Sequence, residues 1–110
     1  MMNMAFKALF MAHAPDAEKS EHRSFIDTGM YQLWTVVVKN QQDAIETCQE
    51  LVEENQINAI LLCPGFTHVD VAEIANVVGP NVGVSVARGD RPSNRIVPPY
   101  AKGHGKQETT

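Results

Sequence analysis

The chain reads as an α/β domain, a four-stranded parallel sheet with helices on both faces in the order β-α-β-α-β-α-β. Two observations predict it. Apolar runs with little polar alternation recur at 4–12, 31–38, 58–63 and 82–87, as in strands buried on both faces. Between them lie segments with helix start and stop residues, and strands alternating with helices build a parallel sheet. At 110 residues there is room for one compact domain. The boundaries expected are 1–91 for the domain and 92–110 for an irregular, basic C-terminal tail.

Each element has a local reason. Residues 4–12 are apolar except for Lys7, and Ala14-Pro15 ends the run because proline forces the preceding residue out of the helical region. Asp16 can cap a polar helix reaching Ile26 or Asp27, with Thr28-Gly29 as its stop. Its apolar face is thin, little more than Ala17, Phe25 and Ile26. Tyr31, Trp34 and a run of valines make 31–38 a strand. Asn40 with Asp43 three positions on reads as a helix start, and Ala44, Ile45, Cys48, Leu51 and Val52 form one apolar stripe. Asn55 is the expected left-handed stop. After the strand at 58–63, Thr67 and Asp70 have capping-box spacing, with Phe66 and Val71 placed as a hydrophobic staple. That helix ends at Gly79-Pro80. In the last strand Val82, Val84 and Val86 share one side and Gly83, Ser85 and Ala87 leave the other small.

Composition narrows the function classes. Hydrophobic residues are 44% and charged residues 20%, which is ordinary globular usage. The longest apolar runs, 8–12 and 59–63, are far too short to span a bilayer. Lys7 interrupts the only candidate signal segment. Two cysteines without a CxxC motif suit a reducing cytoplasm. Residues 1–87 carry four Lys/Arg against eleven Asp/Glu, a net of −7, and residues 88–110 carry five against two, a net of +3. An acidic body does not suit nucleic acid.

If the strands follow a flavodoxin-like order, 2-1-3-4, the first helix lies alone on one face and the other two share the opposite face. One thin helix cannot cover a four-stranded sheet. Its cover is then the tail (Ile96, Val97, Pro98, Pro99, Tyr100) or a second copy, so a homo-oligomer is expected, with a dimer favoured. The same order puts a ligand site beyond the carboxyl ends of the strands. His13, the segment from Cys63 to His68, and the Arg88-Gly89-Asp90-Arg91 stretch converge there.

Each of those residues has a chemical case. Gly65 before a capped helix lets backbone approach a ligand, and the free N–H groups of the helix suit an anion. His68 in the first helical turn meets the positive end of the dipole, which favours neutral imidazole. His13 ends a buried strand, and with His68 is the candidate for proton transfer. Cys63 is a candidate thiolate beside a helix start. Phe66 and Thr67 complete the binding stretch, while Arg88 and Asp90 suit a carboxylate or phosphate through bidentate or paired contacts. Each also has a plain structural reading: turn glycine, surface or buried histidine, inert thiol, subunit salt bridge. His13, Cys63 and His68 could hold zinc chemically, but no ligand-spacing motif joins them and no metal is assigned. Neither GxGxxG nor GxxxxGK[ST] occurs, so no cofactor is assigned.

These stretches resemble a family of small bacterial proteins catalogued as a domain of unknown function. The likeness runs through the opening strand with Ala14-Pro15, the strand and cap ending at Asn40, and Asp43-Ala44 leading to Glu50-Leu51-Val52-Glu53-Glu54. It continues through Asn58-Ala59-Ile60, Cys63-x-Gly65-Phe66, Ala72-x-Ile74-Ala75, and the last strand through Arg88 and Asp90. It covers roughly 4–91 and leaves the tail unmatched. The family has glycines where this chain has Pro64 and Thr67, which implies a narrower backbone-lined pocket here. The resemblance implies an α/β sandwich and brings no activity or cofactor.

The functional expectation is a small-ligand-binding protein whose rim takes an anionic or carbonyl molecule, with acid–base chemistry open to it. The alternative is a non-catalytic oligomeric interaction module.

Overall fold

The computed structural model describes residues 5–87. Its elements in chain order are β1 (Phe6–His13), β2 (Arg23–Asp27), β3 (Tyr31–Val38), α1 (Gln41–Asn55), β4 (Ala59–Leu62), α2 (His68–Val78) and β5 (Gly83–Val86). They form a small α/β domain around one five-stranded sheet of order β2-β3-β1-β4-β5. β1 runs parallel to β3 and β4, β4 runs parallel to β5, and β2 alone is antiparallel.

The expected helix over 16–27 is absent, and among the described residues no helix forms a third layer. Residues 23–27 find hydrogen-bonding partners along β3, from Arg23 opposite Val36 to Asp27 opposite Gln32. That ladder outweighs the thin apolar stripe a helix would have buried. The residues read as a helix stop make the hairpin turn instead. Gly29 has φ +101, a conformation open to glycine and strained for other residues. The Asp27 carboxylate accepts the Gly29 N–H at 2.8 Å, and the Thr28 N–H reaches Tyr31 O at 3.0 Å. On β2, the Phe25 ring tilts against Trp34 with centroids 4.6 Å apart. Among the described residues the sheet therefore has five strands rather than four, with helices on one face rather than the expected two.

Both helices start where capping chemistry puts them. The Asn40 side chain accepts the Asp43 N–H, and Thr67 and Asp70 form a reciprocal box at the start of α2. The left-handed stop of α1 falls on Gln56, at φ 59, one residue beyond the expected Asn55. Asn58 then splices the chain into the sheet. Its N–H reaches Lys7 O at 2.8 Å, and its side-chain oxygen accepts the Lys7 N–H at 2.9 Å.

The two helices pack on each other and cover one face. Leu9 and Met11 of β1, Val36 and Val38 of β3, and Ile60 and Leu62 of β4 meet the buried stripe of α1 (Ala44, Cys48, Leu51) and Ile74 of α2. Burying each large side chain contributes about 1.5–3 kcal/mol. Phe66 is buried in the same cluster and Val71 packs against it, as staple residues would. Alternation sends Phe6, Phe10, Leu33, Val37 and Leu61 to the opposite face, where no described helix lies. Among the described residues no helix is long and apolar enough to cross a membrane.

Candidate functional site

The site is built where β1 and β4 end side by side. β1 finishes at His13, paired with Val38, and the Cys63 N–H continues the β1–β4 ladder by donating to Met11 O at 2.9 Å. Pro64-Gly65 then turns the chain, with the Phe66 N–H closing on Cys63 O. The turn lays Phe66 across the His13 imidazole, ring centroids 4.5 Å apart at 59°.

Gly65 is what lets the turn come this close. A Cβ built on it would lie 3.0 Å from His13 Cε1 and 3.5 Å from both His13 Nε2 and Cys63 Sγ. An imidazole edge, a thiol and a bare backbone therefore share one small space. His13 and Cys63 are half-buried. Among the described residues, the ring nitrogens of His13 take no hydrogen bond.

The remaining sequence candidates divide. The Thr67 hydroxyl accepts the Asp70 N–H at 3.1 Å, and the Thr67 N–H donates to the Asp70 carboxylate at 3.0 Å. Both groups are thus spent inside the cap, and a carboxylate already occupies the first turn of α2. His68 begins α2 and is exposed, with no hydrogen bond or ring contact among the described residues. Arg88, Asp90 and Arg91 lie outside the described residues, as does the tail. Cys48 is core, as its place on the helix stripe predicts, and burial pushes its thiol up to about 12. It is no nucleophile near neutral pH. Among the described residues no three His, Cys, Asp or Glu side chains gather as a metal site.

Sequence reasoning missed Gln41. This residue opens α1 just past the end of β3, and its amide nitrogen donates to Asp70 O at 3.1 Å and Glu73 Oε1 at 2.9 Å. It ties the starts of the two helices together. Its amide oxygen is buried without a partner among the described residues. The only sequence signal was a polar residue directly after an N-cap, which usually faces water.

A model of the family of unknown function DUF6506 matches residues 6–98. The chain belongs to that family. The match includes the whole described fold from β1 to β5 and runs seven residues beyond the expected domain boundary at 91. No curated protein and no solved structure matches the chain.

Proposed function

We propose that the protein binds a small anionic or carbonyl-bearing molecule at the rim formed by the ends of β1 and β4. The observation that carries this reading is the contact of Gly65 with His13. His13 is half-buried and its ring nitrogens take no hydrogen bond among the described residues, while its imidazole and the Cys63 thiol both crowd the place a side chain on Gly65 would take. In that setting His13 donates a hydrogen bond to an oxygen of the ligand and is the group able to move a proton. Cys63 and Phe66 form the walls, and the Gly65 backbone supplies close approach. Arg88 and Asp90, next in the chain after β5, are the proposed charged partners of the ligand. His68 is the second proton-transfer candidate, standing on the first turn of α2. Thr67 acts through the cap that holds the turn rather than by a free hydroxyl.

A titration of the histidine ring resonances by NMR, with inorganic phosphate and with pyruvate as probes, tests this. His13 shifts and saturates with at least one probe, and His13→Ala loses that binding while remaining folded. If neither probe moves the His13 resonances, the site as drawn is wrong.

The sheet face on which no described helix lies favours a second reading, an oligomeric interaction module, which concerns a different surface.

A further inference from the structure

One face of the sheet has no described cover. On it the Phe6 and Tyr31 rings stack at 5.9 Å and 21°, yet remain 46% and 43% exposed. Ile26 of β2 (55%) and Leu61 of β4 (40%) are open on the same face. The charged residues of the strands all avoid it. Register places Lys7, Arg23 and Asp27 on the helix side, together with His13. No Asp, Glu, Lys, Arg or His of any described strand points to the open face.

We propose that this face docks a second copy of the chain, sheet on sheet, about a two-fold axis lying along the strands. The proposal stands whether or not the rim binds a ligand. Charge is the first argument. Residues 1–87 carry a net of −7, so two copies repel wherever their acidic surfaces are opposed, and a face to which the described strands turn no charged side chain lets them meet with less of that cost. Shape is the second. Phe6, Tyr31 and Ile26 sit on the β1–β3–β2 half, whereas Ala59, Gly83 and Ser85 keep the β4–β5 half low. The proposed axis lays the bulky half of one copy over the low half of the other, and sheets stacked face to face sit about 10 Å apart.

Area is the third argument. With a rise of about 3.3 Å per residue and about 4.8 Å between strands, the face presents roughly 450 Å² in plan. Its side chains add relief, so a pair buries on the order of 1,000 Å², the size at which a specific interface begins. The rival occupant is the tail of the same chain. Its Arg95, Lys102 and Lys106 would meet no acidic strand residue on this face, whereas Glu46, Glu50, Glu53 and Glu54 lie on α1 across the sheet.

Light scattering over a dilution series of the full chain tests the docking. The wild type is a dimer. Ile26→Lys and Leu61→Lys are monomers with unchanged far-UV circular dichroism. Val69→Lys, on exposed α2 (72%), and the double tail variant Ile96→Lys with Tyr100→Lys remain dimers. Ile26 is open on an edge strand, so its replacement leaves the core intact and decides the matter if Leu61→Lys does not fold. A monomeric wild type overturns the proposal. So does a dimer that survives the face substitution, or one lost with the tail variant alone.

Discussion

Gly65 and His13 touch: a single carbon added to the glycine would stand 3.0 Å from the imidazole Cε1. Fifty-two positions separate the two residues in the chain, and the parallel pairing of β1 with β4 brings them together.

Gly65→Ala is therefore expected to push the His13 ring off Phe66, at a stability cost of about 1–3 kcal/mol from overpacking. The readouts are the His13 ring resonances and a denaturant midpoint. Unchanged His13 shifts in a folded Gly65→Ala protein would show that the close approach does not exist.

Thr47 lies fully buried on α1 with its hydroxyl oxygen lacking a partner among the described residues. An orphaned buried polar group costs about 1–3 kcal/mol, and valine keeps the shape of threonine without the hydroxyl. Thr47→Val should stabilise the protein by about 1 kcal/mol in urea unfolding. A loss of stability would mean that the hydroxyl has a hydrogen-bond partner in solution.

Gln56 holds the left-handed stop of α1 at φ 59 while its N–H reaches Val52 O at 3.1 Å. A non-glycine residue in that conformation is strained by about 1–2 kcal/mol, part of which glycine returns as entropy in the unfolded chain. Gln56→Gly is expected to gain about 0.5–1 kcal/mol, seen as a higher melting temperature with the same unfolding slope. No gain would mean that the glutamine side chain offsets the strain.

Glu46 accepts a hydrogen bond from Lys19 at 2.7 Å, which with a second from Gln42 and the Lys19 charge holds its carboxyl below the usual carboxylate range. A lowered folded value favours the native state above the ordinary carboxylate pKa, and the contribution is lost as pH falls through the lowered one. The pair is exposed, so the effect is small and salt-sensitive. Lys19→Met should lower the melting temperature slightly at neutral pH, and the gap to wild type should close in acid. A gap constant from neutral to acid pH would mean that Lys19 acts through packing alone.

Two corrections show where local reading stops. The stretch 16–27 has helix punctuation at both ends, Asp16 and Thr28-Gly29, yet residues 23–27 are a strand. Their partner is β3, and Thr28-Gly29 serve the hairpin turn with Asp27. Local signals cannot distinguish the two because glycine and aspartate punctuate both. Gln41 eluded reading for a related reason. Its role depends on α2 lying beside α1, a contact between residues about thirty positions apart.

Short-range chemistry alone determined the starts of both helices, through Asn40 and through Thr67 with Asp70. It also determined the apolar runs of β1, β3, β4 and β5 and the burial of Cys48, since each depends on neighbours within a few residues or on hydrophobic period. Only the tertiary structure decided that residues 23–27 would join β3 as a strand, whereas the shared face of the helices and the meeting of His13, Cys63 and Gly65 were legible only once a strand order was assumed. Those outcomes rest on hydrogen bonds and contacts between distant segments, and their energy exists only once the sheet has assembled.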